Sequence, residues 1–271
     1  MKTTFFSRIA YKLMVIVIAI SYTLTPYVGP SNDDPIQTNE QTGANLTAVM
    51  WADPQFSNYI VKRTKYFDAA CEDVTYNIDG KVDAMLNAGD IAENGLLCEY
   101  QYIEEKLAGA RTNCFLNAVG NHDVRLKASY KKTVKNFTGF TNDLNKAVGS
   151  DFTMDALHYS YEINGYKFIV LGTDRTEFEE SYISEAQLCW LDAQLTEASK
   201  TGKPIFVMIH QPLKWTHGLP DTWGSPINSA GSVGAQSDSL KYFLNKYDNV
   251  FLITGHLHTG IGKYTYEKIG N

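Results

Sequence analysis

Phe115-Leu116-Asn117-Ala118-Val119-Gly120-Asn121-His122-Asp123 is the stretch from which the fold can be read. Phe115 to Val119 has the length and apolar character of a buried strand. Gly120 lets the backbone turn sharply at its end. An amide, an imidazole and a carboxylate then follow in a row, all able to bond or ligate. The same arrangement recurs along the chain. Leu46 to Trp51 runs into Asp53-Pro54-Gln55, and Val82 to Ala88 into Gly89-Asp90. Ile205 to Ile209 runs into His210, and Val250 to Ile253 into Gly255-His256-Leu257-His258.

Helical patterns separate these runs. The spacing predicts helices over 58–76, 96–108, 184–200 and 236–247, with a mixed helix-and-loop region over 125–150. Ser184 and Gln187 make a capping box, Leu188, Leu191 and Leu195 the apolar stripe, and Gly202 the stop. Asn164-Gly165, between the apolar runs 159–163 and 166–171, is a hairpin signal. A loop over 211–234 carries Trp215, His217 and Trp223, and 263–269 reads as one more strand.

Strands alternating with helices imply an α/β fold with mainly parallel central strands. Ligands of such sheets bind beyond the carboxyl ends of the strands. There the chain gathers Asp53, Gln55, Asp90, Asn121, His122, His210, His256 and His258, which include four of its six histidines. His256 and His258 alternate along an extended segment and are expected to point the same way. Oxygen and imidazole donors without thiols suit Zn, Fe, Mn, Co or Ni. Seven candidate ligands exceed one tetrahedral site but fit two divalent ions sharing a carboxylate.

The motifs Asp53-Pro54-Gln55, Gly89-Asp90 through Gly95, Gly120-Asn121-His122-Asp123, His210 and Gly255-His256-Leu257-His258 resemble, in order, those of calcineurin-like metallophosphoesterases. The helix holding Gln187, Trp190 and Leu191 is similar to one common in that family. The resemblance spans roughly residues 46 to 260. It implies a four-layer α/β/β/α sandwich of two mixed sheets flanked by helices. It also implies hydrolysis of phosphate mono- or diesters by attack of a metal-bound hydroxide. Asp53, Asp90 and His258, with Gln55 beside them, would hold the first metal. Asn121, His210 and His256 would hold the second, with Asp90 bridging. His122 would face the phosphate and protonate the leaving oxygen, oriented by Glu93. Gln55 stands where the family usually has histidine. The family normally continues into further strands, so the end at Asn271 suggests that C-terminal strands are missing. Both features motivate an alternative, a degenerate member that binds without hydrolysis.

Lys2, Arg8 and Lys12 precede Leu13 to Ile20, an apolar run shorter than the about 20 residues of a membrane span. Residues 1–25 therefore read as an export signal or N-terminal membrane anchor, 26–44 as a linker and 45–271 as the phosphoesterase domain. The formal net charge is −6, without a basic stripe, so a small phosphorylated substrate is expected rather than a nucleic-acid polymer. His217 is a candidate for the substrate entrance and His158 for a structural role. Of the four cysteines, Cys114 and Cys189 read as core thiols, although export would allow one or two disulfides. Asn45 and Asn136 begin glycosylation sequons.

Overall fold

A computed structural model describes residues 16–19, 36–38, 43–124, 129–176, 179–216, 231–258 and 268–269. His217, Trp223 and most of the expected strand over 263–269 lie outside these residues. The first sheet has the order β1 (Ile16–Ala19), β2 (Thr47–Trp51), β3 (Ala84–Asn87), β4 (Phe115–Asn117). The second is β5 (Tyr159–Ile163), β6 (Tyr166–Val170), β7 (Ile205–Met208), β8 (Val250–Ile253). In each, the last three strands run parallel and the first is an antiparallel edge. Both sheets are thus mixed around parallel centres, the expected α/β arrangement. The backbone of β1 comes from within the apolar run assigned to the N-terminal signal.

Side-chain alternation builds the layers. On β6 and β7, Phe168, Val170, Phe206 and Met208 pack into one core with Val49, Met85 and Phe115 of the first sheet. Ile169, Ile205 and Val207 alternate with them. They pack instead with Leu188, Leu191 and Leu195 of helix α5 (Glu185–Ser199). Helices α1 (Val61–Tyr76) and α2 (Leu97–Leu107) contribute Phe67, Val74, Tyr100 and Ile103 to the first core. The one-turn α3 (Asn121–Val124) leads to α4 (Tyr130–Val148), and α6 (Ser237–Leu244) packs with the second core through Leu240. The result is the four-layer sandwich.

Three local expectations change. Residues 130–148 form one continuous helix rather than helix and loop. Phe137, Phe140, Thr141 and Leu144 give it a buried stripe, Ser129 accepts from Lys132 N at its start, and left-handed Gly149 ends it. Ser184 caps α5, but the returning arm is Asp174, whose Oδ2 accepts from Ser184 N at 2.8 Å. Gln187 instead brackets Gly172 at the end of β6, accepting from its N–H and donating to its carbonyl. Cys189 sits on the exposed side of α5, while Cys71 and Cys114 are buried, and all four cysteines are free thiols. Asn164 and Gly165, at φ 54° and 76°, make the two-residue hairpin turn.

Candidate metal centre

The carboxyl ends of β2, β3, β4, β7 and β8 meet at one place. Asp53 follows β2, Asp90 follows β3, Asn121 and His122 open α3 after β4, and His210 follows β7. Ligand atoms of Asp90, His210 and His256 lie within 4.8 Å of one another, as do those of Asp53, Asp90 and His258. Asp90 belongs to both trios. His210 Nε2 lies 3.2 Å from Asp90 Oδ2 and 3.1 Å from both Asn121 Oδ1 and His256 Nδ1. His258 Nε2 lies 2.9 Å from Asp53 Oδ1.

The backbone is bent to achieve this. Asp53, Gln55, Asp90, His256 and His258 all have left-handed φ, between 44° and 73°. Non-glycine residues rarely adopt it, and such strain gathers at functional sites. His256 and His258 therefore do not alternate along an extended chain. Leu257 N turns back to Gly255 O, and the two imidazoles part, one to each trio. Glycines provide the close approach. A Cβ on Gly120 would lie 2.1 Å from Asp90 Oδ1, and one on Gly255 2.8 Å from Asp53 Oδ2.

The electrostatics call for positive charge. Asp90 is fully buried, which by itself would raise its pKa. His210, His122 and His256 override this and hold it well below the usual carboxylate range. Burial alone would lower the His210 pKa, but Asp90 and Asp53 bring it up to about 9. His256, pushed down to about 3 by burial and then by His210, is a neutral donor. Two carboxylates, three imidazoles and an amide oxygen in one cluster, buried except at His258, fit a pair of divalent cations of the borderline class.

His122 lies at the edge of the cluster. Its N–H donates to Asp90 Oδ1 at 2.8 Å, and its ring Nδ1 lies 2.8 Å from the main-chain oxygen of Glu93. The Glu93 carboxylate, expected to orient this ring, is drawn to Arg63 and stands 3.7 Å from Nδ1. Gln55 is buried beside the first trio, with Nε2 donating to Asp90 Oδ2 at 3.3 Å. The bond ties Gln55 to a carboxylate shared by both trios, and it places the expected ligand Gln55 against the first of them.

One acid escaped the sequence reading, and another, Asp123, was singled out there without a role. Asp123 is buried and accepts from Gly120 N and Ala92 N, tying the β4 turn to the β3 turn. Burial, then Asp90, pushes its pKa up to about 7. Glu179 follows β6, whose carboxyl end carries no ligand motif. Its Oε2 accepts from Asn121 Nδ2 at 3.0 Å and lies 4.0 Å from His256 Nε2. The acidic run Glu177 to Glu180 was the available signal. His158 stacks edge-on against Trp190, in keeping with a structural role.

A family model described as calcineurin-like phosphoesterase matches residues 57–260. The chain belongs to that family. Its members are hydrolases acting on phosphoric ester bonds through dinuclear metal centres. The matched span holds Asp90, Asn121, His122, His210, His256 and His258, while Asp53 and Gln55 lie just before it. A probable glycerophosphodiester phosphodiesterase GpdQ of Arcobacter nitrofigilis is 25% identical over 187 residues. That alignment covers 67% of this chain and 59% of the relative, so the chain spans about three fifths of the relative's length. A dimetal phosphatase from Danio rerio superposes with a TM-score of 0.50 at 14% identity, over 78% of this chain and 81% of that one. A purple acid phosphatase from Lupinus luteus seeds aligns over 77% of this chain and 37% of its own, with a TM-score of 0.48 and 14% identity.

Proposed function

We propose that the protein is an exported phosphoesterase that hydrolyses small phosphate esters at a pair of divalent cations. The observation that carries this reading is the pair of ligand trios sharing Asp90. Asp53, Asp90 and His258 would hold one cation, and Asn121, His210 and His256 the other, with Asp90 between them. The cations supply Lewis acidity, which makes water nucleophilic near neutral pH and neutralises phosphoryl charge.

The chain's own groups do the rest. The contact from His122 Nδ1 to the Glu93 carbonyl fixes a tautomer with the proton on Nδ1. Protonated at Nε2 as well, the ring donates that second proton to the departing alkoxide. The Asn121 carbonyl lies against His210 of the second trio, and its amide donates to Glu179. The buried Asp90 and His210 exclude bulk water and strengthen every charge interaction in the pocket.

A panel of aryl and alkyl phosphate monoesters and diesters, assayed with added Zn, Mn, Co, Fe or Ni, tests the reading. Turnover that depends on both metal and Asp90 supports it. Full metal loading without turnover of any ester would establish the degenerate, binding-only alternative. Export rests on the basic residues 2, 8 and 12 followed by Leu13 to Ile20. Fractionation of cells expressing the full chain tests it, since retention in the cytosol would remove that part of the proposal. Membrane attachment through the same segment would place the protein in the membrane fraction.

A further inference from the structure

We infer that Glu179 sets the site's preference between phosphate diesters and monoesters, an inference that rests on the phosphoesterase reading above. Its carboxylate takes the Asn121 Nδ2 donor at 3.0 Å and reaches to 4.0 Å from His256 Nε2. Both contacts are on the side of the second trio, and its side chain is 20% exposed, so solvent reaches it beside the cluster.

The placement is built into the fold. Gln211, buried directly after the ligand His210, donates from Nε2 to the Glu179 main-chain oxygen at 3.0 Å. Its Oε1 accepts from buried Ser181 Oγ. Ser181 is tied in turn to Ser232 and Gly234 through the main chain. Glu179 is therefore held against the centre by the strand end that delivers His210.

A phosphoryl oxygen approaching Asn121 competes with this carboxylate for the same N–H and meets its negative charge. A monoester carries close to two negative charges above its second pKa of about 6, whereas a diester carries one. Repulsion by a fixed anion in a partly desolvated pocket weighs more heavily on the dianion. Glu179 thus selects by charge. The consequence is a diester-hydrolysing site, or one acting on monoesters only when they are singly charged.

Glu179→Gln keeps the shape and an acceptor while removing the charge. Initial rates on 4-nitrophenyl phosphate and bis(4-nitrophenyl) phosphate with manganese(II) give the ratio of kcat/KM values. The variant is expected to shift that ratio towards the monoester by about tenfold. Calorimetry on the manganese-loaded protein supplies a readout independent of turnover. At about pH 8, Kd for orthophosphate falls by about tenfold in the variant relative to Kd for dimethyl phosphate. Glu179→Asp, which restores the charge, returns both ratios towards those of the unaltered protein. Equal changes for the two substrates and the two anions overturn the inference, as does loss of a metal ion from Glu179→Gln, which would make Glu179 a support of the metal centre rather than a selector by charge. An unaltered, metal-loaded protein that hydrolyses no ester of the wider panel sinks the phosphoesterase reading instead, and the two phosphate affinities still decide whether Glu179 selects by charge.

Discussion

The imidazole of His122 meets the main chain of Glu93 more closely than its carboxylate. Nδ1 lies 2.8 Å from the carbonyl oxygen and 3.7 Å from the nearest carboxylate oxygen, which is engaged by Arg63. Replacing the Glu93 side chain leaves the carbonyl in place, so Glu93→Gln should lower kcat by less than about tenfold. His122→Ala should lower it by roughly a hundredfold to ten-thousandfold, the usual contribution of a positioned proton donor. Metal content should be unchanged in both. Steady-state kinetics beside elemental analysis separates these outcomes, and a His122→Ala enzyme of normal kcat would end the assignment.

Because Asp90 serves both trios, its loss should be felt at both cations. Asp90→Asn is expected to release both ions on gel filtration, and Asn121→Ala only one. Gly120→Ala puts a carbon 2.1 Å from Asp90 Oδ1, and such overpacking costs about 1–3 kcal/mol in stability. Stoichiometry by elemental analysis and a denaturant midpoint check each case.

Gln55 is joined to Asp90 through its amide. Gln55→Ala should weaken divalent-metal affinity by roughly tenfold to a hundredfold, as loss of a group orienting a ligand usually does. Gln55→His should tighten it, since histidine tolerates the left-handed backbone found there and adds a nitrogen donor. Competition against a fluorescent chelator measures both. Unchanged affinity in Gln55→Ala would show that the amide bond is idle.

Cys98 and Cys189 are exposed, and Cys71 and Cys114 are buried. Burial pushes the Cys71 and Cys114 thiols up, Cys114 to about 12, so neither forms thiolate near neutral pH. A thiol reagent should modify two cysteines in the native protein and all four after unfolding. The same shift has a sign for stability. Above the ordinary thiol value of 9.0 the unfolded chain loses protons that the folded chain keeps. Stability therefore falls as pH rises from there towards 12, by up to about 1.4 kcal/mol per unit for each such group. Thermal melts across this window test the slope.

The first sheet supplies Asp53, Asp90 and Asn121, and the second supplies His210, His256 and His258. Cations bound between them would clamp one sheet to the other. At a hundred times Kd, binding adds about 2.7 kcal/mol, so chelation should lower Tm by roughly 5–10 °C. An unchanged Tm after complete chelation would show that the sheets dock without them.

The strand ends were legible because each couples an apolar run to a polar group, a pattern that survives in one dimension. The asparagine-glycine hairpin and the stripe of α5 were legible for similar local reasons. Other features depend on contacts distant in sequence. Glu179 reaches Asn121 across 58 positions, from a loop whose strand carries no ligand. The parting of His256 and His258 depends on a left-handed turn that alternation does not encode. Cys189 looked like core because helical periodicity places it near Leu188 and Leu191, yet one residue is enough to rotate a side chain out of a buried stripe. The stripe of α4 was present in the sequence, and its many lysines hid it.

Most of the metal-facing positions sit on backbone wound the wrong way for ordinary side chains. Glycine, asparagine, aspartate and histidine tolerate that geometry, and branched residues do not. The vocabulary open to drift or engineering at these seats is therefore short. An effort to retune the centre towards softer ions with cysteine would meet main-chain resistance at Asp53, Asp90, His256 and His258, but not at Asn121 or His210. Exchanges among the tolerated few remain the practicable route to altered metal preference.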